Sequence, residues 1–236
     1  MTGPPHSRGM TGCGPGATVR SAENRRRKTL IEVVTSRNAL LYQDALGDMF
    51  DLRHRVLSGL EKDRFDTEDA IYLLLTKDDG TVIGTQRMLP TVGPHRFSEE
   101  LQQLCDVKGV QRGPKILELT GACVDEDALE PFARETARKR LIVGLFEFCL
   151  RAGYEKFTLV MPTEALFRFL LIGLNVKPLG LPIARGAERD VAVIVTVNSK
   201  ALDAMRMALD VPEQQVDYVG APAGDPLVLA PLDTAH

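Results

Sequence analysis

Residues 70–76, Ala-Ile-Tyr-Leu-Leu-Leu-Thr, form an almost unbroken apolar run entered from a dense acidic turn, Asp63-Arg64-Phe65-Asp66-Thr67-Glu68-Asp69. A strand without polar alternation has no face to give to water, so it predicts the interior of a sheet covered on both sides. Asp79-Gly80 then reads as a hairpin turn, with residues 81–89 as the antiparallel return. Charges sit at or inside these apolar elements: Arg53 upstream, Arg87 in Gly84-Thr85-Gln86-Arg87-Met88-Leu89-Pro90, and Glu118 in Ile116-Leu117-Glu118-Leu119-Thr120. Charge in such places is costly unless opposite charge meets it. The region is therefore a candidate active site whose members serve each other and a substrate.

The rest of the chain supplies layers for that sheet. Residues 29–36 predict a first strand, Asn38 a helix cap, and residues 39–60 a helix with Arg53 and Leu57 one turn apart. Residues 90–113 are irregular and read as a mobile cover, with a short helix over 98–105 capped by Ser98. A strand over 115–124 carries Glu118, and Pro131 opens a long amphipathic helix that Gly153 ends. A strand at 157–162, a helix at 165–174 ended by Asn175, a strand at 191–197 and a helix at 200–209 complete the order. An antiparallel pair followed by strand–helix units fits an α/β sandwich around one mixed sheet. Residues 29–211 are read as the domain, with a basic tail at 1–28 and a second tail at 212–236.

Composition narrows the function classes. The net charge of −3 over 236 residues hides about +5 in residues 1–28, leaving the body near −8. The run Arg25-Arg26-Arg27-Lys28 lies among Gly, Pro, Ser and Thr and is read as a solvated, disordered tail rather than a nucleic-acid contact. Cys13, Cys105, Cys123 and Cys149 lack paired metal spacing, and no apolar run approaches the roughly 18 residues of a membrane span. With no apolar segment of a secretory signal, a reduced, cytoplasmic setting without membrane partners is expected. No Gly-x-Gly-x-x-Gly, Gly-Lys-Ser/Thr or Gly-x-Ser-x-Gly motif is present, which argues against dinucleotide, nucleoside triphosphate and serine-hydrolase chemistry.

Several residues have open alternatives. Glu118 in an apolar strand is either a general base with a pKa raised by desolvation, or a structural carboxylate that pairs Arg87 or meets solvent. Asp63 and Asp66, three apart, either clamp an arginine or cap the strand in solvent; a metal is disfavoured for want of a ligand loop. Arg87 pairs a carboxylate, holds a substrate carboxylate, or does both. Arg134, Arg138, Lys139 and Arg140 put a basic face on the long helix, a plausible dock for an acidic carrier protein or simply a solvated face.

The ordered set of Arg53, the Asp63-x-Phe65-Asp66 turn, Tyr72, Gly84-Thr85-Gln86-Arg87-Met88-Leu89-Pro90-Thr91 and Leu117-Glu118-Leu119-Thr120 resembles the LuxI-type acyl-homoserine lactone synthases, the autoinducer synthases of quorum sensing. The resemblance runs from about Asn38 to Val197. It implies a GNAT-like three-layer sandwich with a mixed, splayed sheet that binds a phosphopantetheine arm. It also implies acylation of the amine of S-adenosylmethionine by an acyl thioester, on acyl carrier protein or coenzyme A, followed by lactone closure. S-adenosylmethionine would be a substrate and no cofactor is implied. On that analogy Arg53, Asp63, Asp66 and Arg87 shape the S-adenosylmethionine site, Glu118 assists amine deprotonation, and Thr120 reads the acyl chain. Ala122, Val143 and Phe146 are expected near that chain. Leu57 stands where the family usually has an aromatic residue, Gly121 where it has an arginine, and tryptophan is absent. Another amine acceptor, or a non-catalytic acyl-binding role, is the alternative reading.

Overall fold

The computed structural model describes residues 31–57 and 62–219. The basic run at 25–28 and residues 220–236 lie outside the described residues, as do residues 58–60 of the first expected helix. Within them the order is β1 (Ile31–Val34), α1 (Gln43–Val56), β2 (Ile71–Thr76), β3 (Val82–Pro90), α2 (Arg96–Glu99), β4 (Ile116–Val124), α3 (Pro131–Arg151), β5 (Lys156–Pro162), α4 (Thr163–Leu171), β6 (Val176–Pro178), β7 (Ile183–Arg185), β8 (Glu188–Thr196), α5 (Ser199–Leu209) and β9 (Val216–Asp217). One mixed sheet runs β6-β8-β5-β4-β3-β2-β1-β9, with β7 paired to β8.

β2 is buried on both faces, as its run of apolar residues requires. Leu73 and Leu75 join Ile31, Val33, Met88 and Leu117 under α3, whereas Tyr72 and Leu74 join Val34, Leu89 and Cys123 under Met49 and Leu52 of α1. Alternate residues of one strand thus feed two cores, giving three layers. Closeness on the α3 side has a cost in side-chain choice. A Cβ on Gly144 would stand 2.5 Å from Ile31 Cδ1, so a larger residue there would require the Ile31 side chain to shift.

The sheet divides in its middle. β4 pairs β5 in parallel only at Ile116–Lys156, Leu117–Phe157 and Glu118–Thr158. Beyond Glu118, β4 stays with β3 while β5 stays with β8. Glu118 therefore occupies the last rung before a wedge between two half-sheets.

Local chemistry moves several expected boundaries. Asn38 caps nothing with its side chain: Oδ1 accepts from Thr35 N–H at 2.8 Å, and Nδ2 donates to the carbonyls of Val33 and Val219 at 2.9 Å each. A 3₁₀ turn at Ala39–Leu41 precedes α1. The short helix is capped at His95 rather than Ser98: Ser98 is the third helical residue, and its hydroxyl donates to His95 O and accepts from His95 N–H. Helix α4 stops at Leu171, with Gly173 rather than Asn175 in the left-handed conformation.

Past residue 211 the chain returns to the sheet. β9 adds in parallel to β1, and buried Glu147 of α3 holds it. Its carboxylate accepts from Gln215 N–H at 2.9 Å, Val216 N–H at 3.3 Å, Arg206 at 3.2 Å and Arg151 at 3.3 Å. That pairing covers an edge that would otherwise be open.

Candidate active site

Helix α1 brings Arg53 to the inner face of the sheet, and the acidic turn folds back to meet it. Arg53 grips Asp66 with both terminal nitrogens, at 2.7 and 3.2 Å, and both side chains are fully buried. Arg87, opposite Tyr72 in the β2–β3 pair, reaches the same carboxylate at 2.9 Å and Asp63 through two bonds of 2.6 and 3.0 Å. Its Nε donates to Thr120 Oγ1 at 2.9 Å. Tyr72 Oη and Asp63 N–H each donate to Asp66 at 2.8 Å.

Two guanidinium groups and two carboxylates so form one buried lattice with Asp66 at its centre. Burial raises the Asp66 pKa, but the bonds from Arg53, Asp63 N–H and Tyr72 and the charge of Arg87 outweigh it and hold the carboxyl below its ordinary range. Burial, then the Asp66 charge, pushes the Tyr72 phenol well above its usual value, so it stays a donor. Asp63 is the partly exposed member, at 21%. The acidic turn is neither a solvated cap nor an isolated charge cluster: its two aspartates are the anionic half of the lattice.

Gly121 sits beside it with φ of +64°. A Cβ there would lie 3.4 Å from Arg53 Nε and 3.5 Å from Cζ. The left-handed bend in β4 suits glycine.

Glu118 does not pair with Arg87 and does not meet solvent. Its Oε2 lies 2.6 Å from His95 Nδ1 and accepts from Phe97 N–H at 2.7 Å, while Oε1 accepts from Arg96 N–H at 3.0 Å. Glu118 and His95 are both fully buried. The segment expected as a mobile cover is therefore pinned to β4 through a buried carboxylate. His95 was not singled out from the sequence; a lone histidine after Pro94 carries little signal, though Ser98 three residues on was a capping clue.

A cavity of about 320 Å³ flanks the part of β4 beyond the wedge apex, lined by Val56, Thr85, Gln86, Ala122, Cys123, Val124, Glu126, Arg138, Leu141, Ile142 and Leu145. Ala122 lies in its wall. Val143 and Phe146 do not: both face the α3 core, where the Phe146 ring meets Phe157 edge-on at 5.2 Å. Helical spacing turns their neighbours Leu141, Ile142 and Leu145 to the cavity instead.

The basic face of α3 is less free than its sequence implies. Arg134 Nε donates to Leu129 O at 2.6 Å, Arg138 pairs with Glu126, Lys139 lies 3.9 Å from Glu135, and Arg140 Nε donates to Gln215 Oε1 at 2.7 Å. No helix among the described residues is long and apolar enough to cross a membrane.

Comparison with known proteins gives this geometry a context. Residues 26–205 match the family model for autoinducer synthases. The isovaleryl-homoserine lactone synthase of Bradyrhizobium diazoefficiens is 30% identical over 195 residues, 78% of this chain and 87% of that protein. The acyl-homoserine-lactone synthase of Agrobacterium fabrum is 28% identical over 136 residues, 56% and 64% of the two chains. Among solved structures, BjaI, a CoA-dependent acyl-homoserine lactone synthase with S-adenosylmethionine and isopentyl-CoA, superposes with a TM-score of 0.71 at 29% identity, covering 81% of this chain and 93% of that one. MesI, also CoA-dependent, superposes with a TM-score of 0.68 at 25% identity over 79% and 98%.

Proposed function

The chain belongs to the autoinducer synthase family, and from that premise we propose that it is an acyltransferase making an N-acyl-homoserine lactone from S-adenosylmethionine and an acyl-CoA. The observation that carries the reading is the buried lattice of Arg53, Asp66 and Arg87, which offers one partly exposed carboxylate, Asp63, beside a split sheet. A substrate with an ammonium, a carboxylate and a sulfonium suits such a site. Asp63 meets its cationic end, and Arg87, locked by Asp63, Asp66 and Thr120, fixes the geometry without reorganising.

In this reading the acyl thioester lies in the wedge between β4 and β5, and its chain enters the adjoining cavity. About 320 Å³ is at the small end of ligand pockets, roughly 300–1,000 Å³, which favours a short or branched acyl group. The amine attacks the thioester carbonyl carbon and the thiolate leaves. The substrate's carboxylate oxygen then closes on its own γ-carbon, expelling methylthioadenosine.

Two features favour coenzyme A over a carrier protein as donor. Arg138 and Lys139 pair with Glu126 and Glu135 within the chain, which lowers the positive charge the helix offers to an acidic carrier. BjaI and MesI are both CoA-dependent synthases. The test is the release of methylthioadenosine by purified protein given S-adenosylmethionine with matched acyl-CoA and acyl-carrier-protein donors. Faster turnover with short acyl-CoA is expected. Turnover confined to the carrier-bound donor would reverse the donor assignment, and acylation of some other amine without methylthioadenosine would replace the acceptor.

A further inference from the structure

The carboxylate at the wedge apex is already fully engaged. Glu118 accepts from two consecutive backbone N–H groups, Arg96 and Phe97, and faces His95 Nδ1 at 2.6 Å. Those contacts use about three of its four lone-pair positions. An ionised carboxylate only accepts, so Nδ1 carries the imidazole proton and Nε2 presents a lone pair. Nε2 is buried and has no hydrogen-bond partner among the described residues. Leaving a buried polar atom unmatched costs about 1–3 kcal/mol.

The position of the pair matters as much as its orientation. Glu118 lies on the last rung shared by β4 and β5, and two residues along the same face is Thr120, the acceptor for Arg87 Nε. At about 3.3 Å per strand residue the two side chains are about 7 Å apart along β4. Glu118, with His95 against it, thus lies beside both the charged lattice, where an ammonium would bind, and the wedge, where a thioester would enter.

We propose that His95 Nε2 takes the proton from the substrate ammonium, and that Glu118 is the positioning residue that fixes the ring and its tautomer. This rests on the synthase reading above. One ammonium proton passes to Nε2, and the freed nitrogen lone pair forms a bond to the thioester carbonyl carbon. The carbon–sulfur bond breaks with its electron pair on sulfur, and the second nitrogen proton goes to that thiolate. His95 returns its proton to solvent before the next turnover. Carboxylate, oriented imidazole and an unpartnered nitrogen form the usual arrangement for activating a nucleophile, and imidazole is the side chain suited to accept a proton near neutral pH.

The test uses the full chain with S-adenosylmethionine and acyl-CoA, comparing wild type, His95→Asn, Glu118→Gln and the double variant. Asparagine can still donate to Glu118 but has no counterpart to Nε2. For His95→Asn, kcat falls by about 100-fold or more, with KM for S-adenosylmethionine within about threefold and the thermal unfolding profile retained. Glu118→Gln lowers kcat in the wild-type background and adds little in the His95→Asn background, because groups acting as a unit are not additive. If His95→Asn keeps kcat within about threefold, or if Glu118→Gln costs as much in both backgrounds, the proposal is overturned and Glu118 itself takes the proton. An active wild type separates those outcomes from failure of the synthase reading; a wild type that releases no methylthioadenosine with any thioester refutes both.

Discussion

Replacing Asp66 by Asn removes one charge from the centre of the lattice while keeping its shape. Asp66 receives both nitrogens of Arg53, the near nitrogen of Arg87, Tyr72 Oη and Asp63 N–H. Asparagine can still accept from Tyr72 or the Asp63 amide, but Arg53 would be left buried beside a group that also presents N–H. Removing one partner of a buried ion pair costs about 3–5 kcal/mol, and the retained acceptor places Asp66→Asn near 3 kcal/mol. With a urea slope of about 2–3 kcal/mol per M, the unfolding midpoint should fall by about 1–1.5 M, read by circular dichroism. The pH dependence has a definite sign. The folded pKa of Asp66 lies below its ordinary 3.8, so its stabilisation is complete above that value and is lost as pH falls through the folded pKa. The gap between wild type and variant should stay constant down to about pH 4 and close below it. A midpoint shift under about 0.3 M, or a gap that closes by about pH 6, would refute the claim that Asp66 organises the site.

Gly121→Ala should cost about 1–2 kcal/mol through its left-handed backbone, measured by urea melts; an unchanged midpoint would count against that strain. Glu147→Leu leaves the amides of Gln215 and Val216 and the guanidinium of Arg206 without this acceptor, so hydrogen exchange at β9 should rise and stability should fall by about 3 kcal/mol or more; unchanged protection there would count against the latch. Burial pushes the Cys105 and Cys123 thiols up to about 11 and Cys149 higher still. Alkylation near pH 8 should therefore be slow at these three cysteines in native protein and rapid in urea, as peptide mass spectrometry would show; fast native labelling of Cys149 would contradict its burial.

Much of the fold was legible because its strongest signals are local. The apolar run of β2 specified a doubly covered strand, Asp79-Gly80 specified the hairpin, and Pro131 with Gly153 bracketed α3. The order of main elements followed. Short pieces such as β6, β7 and β9 were not legible, since two- and three-residue strands are created by their neighbours rather than by their own pattern. β9 exists because Glu147, more than sixty residues away, accepts its amides. At the site, the charges of Arg53, Asp63, Asp66, Arg87 and Glu118 stood out against their apolar settings. Their pairing did not: Arg87 chose the aspartates, and Glu118 chose His95 and two backbone amides of a turn that carried no regular pattern. Val143 and Phe146 stand outside the cavity: in α3 the faces toward the core and toward the cavity are both apolar, so composition could not say which residues turn which way.

The central claim is that the lattice and the wedge together join S-adenosylmethionine to an acyl group and close the lactone. Purified protein incubated with S-adenosylmethionine and a short branched acyl-CoA tests it by mass spectrometry of the small molecules. N-acyl-homoserine lactone and methylthioadenosine should appear in equal amounts, and both should vanish without the thioester. Absence of both across a panel of coenzyme A and carrier-protein thioesters, or an acylated amine formed without methylthioadenosine, would contradict the account.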